Sequence, residues 1–148
     1  MFNLKDLYQE VIVDHNRNPR NFGKLDDANK ELEGFNPLCG DRLKLYLKIN
    51  NDHIDDISFD GSGCAISVAS ASLMTDLMKG KSINEAENIF NEFHDLVTHD
   101  NEIDLDKMGK LAALAGVREY PARVKCATLC WHTLNSLLQG DRSPVSTE

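Results

Sequence analysis

Along residues 42–50, RLKLYLKIN, every second position is apolar: Leu43, Leu45, Leu47 and Ile49 alternate with Arg42, Lys44, Tyr46 and Lys48. A period of two predicts a strand buried on one side. Asn50, Asn51 and Asp52 supply turn residues. A second strand follows over roughly 54–61, with Ile57, Phe59 and Gly61 on one face. Ile54 is out of step with that face, which predicts a bulge. Elsewhere the period is helical. Leu4, Leu7, Tyr8, Val11 and Ile12 mark a stripe over 3–15 that Pro19 and Gly23 bring to an end. CAISVASASLMTDLMKG, from Cys64, reads as a helix of small residues able to pack closely. Ser82, with Glu85 at the capping-box position, opens another that carries Ala86, Ile89, Phe90 and Phe93. A shorter helix is predicted over 104–115, and a last one from Pro121 to just before Gly140. A short strand near 31–35 completes the set.

The length, 148 residues, suits one domain, assigned to 1–140, with DRSPVSTE (141–148) as a mobile tail. A net charge of −8 argues against a nucleic-acid surface, because phosphate recognition depends on lysine and arginine. No stretch approaches the ~20 apolar residues that cross a bilayer, so no membrane partner is expected. Lys5, Asp6 and Glu10 interrupt what a signal peptide would keep apolar. The expected location is therefore cytoplasmic, where thiols stay reduced. Four cysteines in that setting read as ligands, nucleophiles or inert core residues rather than disulfides.

Their placement narrows the choice. A turn centred between 51 and 52 pairs positions whose numbers sum to about 103, and Cys39 and Cys64 sum to 103. Asp41 lies two residues from Cys39, so in extended backbone the two side chains share a side. Cys126 falls almost opposite the main apolar stripe of the last helix, Val124, Ala127, Trp131, Leu134 and Leu138. Three thiols and a carboxylate make a set suited to zinc, or to iron in a cluster, with the carboxylate the readiest to let go. Cys64 stands at a helix start, where the dipole favours thiolate. Arg123 and Lys125 flank Cys126 in a first turn, where cations oppose the dipole, so they read as accessory to a site. Cys130, one turn on, is either a neighbour of the site or a core residue. His15 and His53 suit surface ends, His94, His99 and His132 fall in helices, and none has ligand spacing. The acidic run from Asp95 to Asp106 reads as a solvated connection. Taken alone, the residues leave both readings of the cysteines open, metal site and inert core.

Four stretches, DLYQEVIVDHNRNPRNFG (6–23), NPLCGD (36–41), DGSGCAISVASASLMTDLMKGKS (60–82) and VKCATLCWH (124–132), resemble the U-type iron–sulfur cluster assembly proteins in order and over most of the chain. The resemblance implies an α+β fold, a small and mainly antiparallel three-stranded sheet covered on one face by about five helices. It also implies a metal site of Cys39, Asp41, Cys64 and Cys126. Scaffolds of the ISC branch carry a histidine just before the last ligand cysteine and a Leu-Pro-Pro-Val-Lys motif. This chain has Lys125 and EYPARVK (119–125) there. Its segment EIDLDKMGKLAALAGVREY (102–120) is similar to the insertion of the SUF branch of Gram-positive bacteria.

That branch implies a zinc-bound sulfur carrier, with Cys39 accepting persulfide sulfur from a pyridoxal-phosphate cysteine desulfurase for downstream iron–sulfur assembly proteins. Such a carrier acts as an acceptor rather than a stand-alone enzyme. Two rivals stand beside it: a scaffold assembling a [2Fe–2S] cluster on the same four residues, and a binding module whose zinc is only structural.

Overall fold

The computed structural model describes residues 4–98 and 109–147. The alternating stretch forms β2 (Asp41–Asn50), joined to β3 (His53–Ser62) by Asn51 and Asp52, both at positive φ, 52° and 61°. Asn and Asp tolerate that region, and a two-residue turn of this hand matches the twist of the strands it joins. The expected bulge is present. Ile49 pairs with Ile54 and Lys48 with Asp56, so Asp55 is the extra residue. It brings Ile54 into phase with Ile57 and Phe59, and all three are buried. Beyond the bulge the pairing runs one residue later than a plain hairpin, with Arg42 opposite Ser62.

On its other side β2 pairs antiparallel with β1 (Lys30–Asn36), the short strand expected near 31–35. A fourth strand, β4 (Val145–Ser146), lies parallel to β1 at Gly34 and Phe35, giving the order β3-β2-β1-β4. The expected sheet had three strands and left 141–148 as a tail. A two-residue strand shows no periodicity, but β1 offers it unpaired backbone, and the Thr147 N–H donates to the Phe35 carbonyl at 3.1 Å.

Among the described residues, four α-helices lie on one side of the sheet: α1 (Leu4–Arg17), α2 (Ala65–Met78), α3 (Ile83–Thr98) and α4 (Pro121–Leu138). Leu32, Leu43, Leu45 and Leu47 face them and join one core with Met74, Met78, Leu129 and Trp131. The other face is polar, with Lys44 to Glu31 at 3.3 Å, Lys48 to Asp27 at 3.0 Å and the Tyr46 hydroxyl donating to Asp60 at 3.0 Å. The capping box at α3 is formed in both directions, Ser82 N–H to Glu85 and Glu85 N–H to Ser82. α2 is central because its side chains are small. Its Ser70 hydroxyl donates to the Ala127 carbonyl at 2.6 Å and accepts from the Trp131 indole at 3.0 Å. Its Ser72 hydroxyl lies 2.7 Å from Nδ1 of His15. His15 is therefore buried, not at the surface, since the small-residue face of α2 admits its ring.

The helix predicted over 104–115 differs in kind and place. Positions 104–108 lie outside the described residues, and Gly109–Glu119 winds as a 3-10 helix. Leu111, Ala112, Ala113, Leu114 and Ala115 are buried in succession, so no polar stripe distinguished one helical period from another. Asp95 is exposed on α3, whereas His99 and most of the acidic run lie outside the described residues.

Candidate metal centre

The site forms where β1 hands over to β2. Asn36 ends β1, residues 37–40 turn, and Asp41 opens β2 directly opposite Asn36. The Cys39 N–H donates back to the Asn36 carbonyl at 3.3 Å, and Gly40 takes φ +72°. Cys39 thus sits in a tight turn rather than in extended backbone. The turn, not strand alternation, brings it beside Asp41. From the far end of β3, Gly63 passes so close to Asp41 that a Cβ on it would lie 2.5 Å from Oδ1. That approach lets the Cys64 N–H donate to Asp41 Oδ1 at 2.8 Å. Cys126, in the second turn of α4, is fully buried, with its Sγ 3.1 Å from that of the half-buried Cys39.

Donor atoms of Cys39, Asp41 and Cys126 all lie within 4.8 Å of one another. Cys64 adjoins this trio without being in it. Its sulfur caps α2, accepting from the Ser67 N–H at 3.4 Å. Arg123 approaches from the exposed side, Nη1 3.8 Å from Cys39 Sγ. Lys125 instead lines a groove between α3, α4 and 145–147, with His94, Thr128 and His132. Cys130 belongs to the core beside Ser70, and burial pushes its thiol up to about 12. Sequence reasoning missed Asn36. Fully buried, its Nδ2 donates to Asp41 Oδ2 at 3.0 Å and to Cys126 Sγ at 3.3 Å. Its signal was a polar residue heading the NPLCGD run at the inward-facing end of β1.

Burial above all, then hydrogen bonds to Cys39 and Asp41, holds the Cys126 thiol far above its ordinary range. Arg123 is held more firmly cationic, chiefly by Cys126 and then by Cys64 and Cys39. Two sulfurs and a buried carboxylate converge with little positive charge to balance them. That donor chemistry fits a borderline-soft divalent cation, whose charge would reverse the thiol shift. Zinc or iron fits it better than magnesium or calcium, which take oxygen donors.

Alanine at Gly63 tests this geometry. The new methyl must push the Asp41 carboxylate off the Cys64 N–H, a charge-assisted bond worth about 1.5–3 kcal/mol. Gly63→Ala is expected to weaken zinc binding by at least about tenfold, measured by competition with a chromophoric chelator. Unchanged affinity would show that Asp41 is not held as described.

The comparisons agree with the fold. The model of the family described as the NifU-like N terminal domain matches residues 7–127. The chain is 47% identical over 135 residues, 89% of each protein, to SufU of Bacillus subtilis, a zinc-dependent sulfurtransferase. It is 38% identical over 136 residues to IscU of Thermotoga maritima, an iron–sulfur cluster assembly scaffold protein, covering 92% of this chain and 95% of the relative. A crystal structure from Fervidobacterium islandicum, assigned to the SUF system, superposes with a TM-score of 0.82 at 36% identity, over 90% of this chain and 97% of that one. Among the described residues no helix is long and apolar enough to cross a membrane. With the family model spanning most of its length and relatives alike over about nine-tenths of it, the chain belongs to the NifU-like N-terminal domain family.

Proposed function

We propose that this protein accepts sulfur for iron–sulfur cluster assembly at Cys39, from the persulfide of a pyridoxal-phosphate cysteine desulfurase. The observation that carries the reading is the pairing of a reachable sulfur with a buried one, Cys39 and Cys126 at 3.1 Å beside Asp41. The relative in Bacillus subtilis, named a zinc-dependent sulfurtransferase, supports zinc as the occupant. Cys39, Asp41 and Cys126 would hold it, with Cys64 as fourth donor once its sulfur leaves the α2 cap. When bound, zinc supplies positive charge that keeps thiols deprotonated at neutral pH.

The chain's own residues do the rest. The Cys39 thiolate attacks the terminal sulfur of the desulfurase persulfide, forming a new S–S bond. The old S–S bond breaks, and the desulfurase cysteine leaves as thiolate. Arg123, exposed and 3.8 Å from Cys39 Sγ, places a cation beside the anionic sulfur at the start and end of the step. Asn36 and the Cys64 N–H hold the Asp41 carboxylate in place throughout. The sulfur then passes to downstream assembly proteins.

The test is multiple-turnover alanine release by the desulfurase, with and without zinc-loaded protein, under a reductant too weak to discharge the persulfide. Strong stimulation is expected. No stimulation would overturn the carrier reading. Acid-labile sulfide and a visible chromophore in anaerobic protein would instead favour the scaffold role for which the Thermotoga maritima relative is named.

A further inference from the structure

Asn36 is fully buried, and both polar atoms of its side chain have partners. The two Nδ2 protons go to Asp41 Oδ2 at 3.0 Å and Cys126 Sγ at 3.3 Å. Oδ1 accepts from the Thr147 hydroxyl at 2.9 Å. The opposite amide orientation would set Oδ1 against a carboxylate and a sulfur, both electron-rich, and its NH2 against Thr147. A hydroxyl can donate or accept, so Thr147 by itself permits either orientation, but only as donor does it complete the one that serves the site. β4 fixes where that hydroxyl stands. Val145 and Ser146 pair with Gly34 and Phe35, and the Thr147 N–H reaches the Phe35 carbonyl at 3.1 Å.

From this chain of contacts we propose that Thr147 is a positioning residue for the metal centre, acting through Asn36 on Asp41 and Cys126. The fourth strand is then part of the site's support, because it delivers the donor that the Asn36 carbonyl needs. A buried amide oxygen without a partner is costly, so losing the hydroxyl loosens Asn36 and both side chains it steadies. The proposal rests on the metal-centre reading given above.

Two substitutions separate hydroxyl from shape. Thr147→Val keeps the β-branched outline and strand propensity, and Thr147→Ser keeps the hydroxyl. Zinc affinity is read by chelator competition, and site symmetry by the visible bands of the cobalt-substituted protein. Thr147→Val is expected to bind zinc on the order of tenfold more weakly and to shift the cobalt bands, while Thr147→Ser matches the parent chain. Parent-like affinity and spectrum in Thr147→Val would overturn the relay alone, as would equal losses in both variants. A parent protein that takes up neither ion would overturn the metal-centre reading and the relay with it.

Discussion

Serine in place of Cys39 is expected to reduce desulfurase turnover to that of the desulfurase alone, with no sulfur atom added to the carrier by mass spectrometry. A hydroxyl lacks the low pKa and the nucleophilicity of a thiolate, so it cannot open a persulfide. Position matters as much as chemistry. Cys39 sits half-buried at a turn, where a partner's sulfur can reach it, whereas Cys126 behind it has no exposed surface. Cys130→Ser serves as the control. Its thiol lies in the core with its pKa pushed up to about 12 by burial, so stimulation should be kept. Full transfer by Cys39→Ser would remove Cys39 as acceptor.

Alanine in place of Trp131 is expected to cost about 3–5 kcal/mol of stability. The indole has no exposed surface, stacks on Phe93 at 4.1 Å between centroids and 11° between planes, and donates to Ser70. Truncation leaves a cavity between α3 and α4 and removes the donor that faces the Ser70 oxygen. For a domain of this length the expected fall in Tm is about 10 °C, read by calorimetry with urea unfolding as a check. A fall of under about 3 °C would mean that neighbouring side chains collapse into the space. Trp131 shares α4 with Cys126, so a loosened α4 would also disturb the Cys39 to Cys126 spacing.

What could be read in advance follows from where the periodic signals lay. Leu43 to Ile49 alternate because one face of β2 is core and the other solvent, and Ile54 betrayed its bulge by breaking the beat. Ser82 and Glu85 were legible because a capping box is local in sequence. The pairing of Cys39 with Asp41 was foreseen for a reason the structure replaces, a turn with Gly40 at φ +72° instead of extended backbone. Cys64 was expected among the ligands, but its sulfur lies at the helix cap, a choice made by the α2 backbone. Asn36 left only the trace of a polar residue heading NPLCGD, and β4 left none. One is defined by partners at Asp41, Cys126 and Thr147, and the other is too short to have a period. The 3-10 segment evaded prediction because its residues are buried in succession.

The order β3-β2-β1-β4 puts β3 at one edge of the sheet and β1, with the two-residue β4, at the other. An open sheet edge is a template on which an extended peptide adds itself as one more strand. Here the outer edge of β3 is engaged at Phe59, whose N–H reaches the Asn21 carbonyl at 3.0 Å and whose carbonyl takes the Gly23 N–H at 2.8 Å. The outer edge of β1 is occupied by β4 at Gly34 and Phe35, and its remaining stretch carries Lys30, Glu31 and Glu33. A visiting strand would have to evict chain from β3 or from Gly34 and Phe35 of β1, and along the rest of β1 it would meet charged side chains. Exposed Leu38 stands beside Cys39 in its turn, and exposed Tyr120 precedes Pro121 at the start of the helix that carries Cys126, so this end of the molecule presents side chains to solvent rather than an open strand edge.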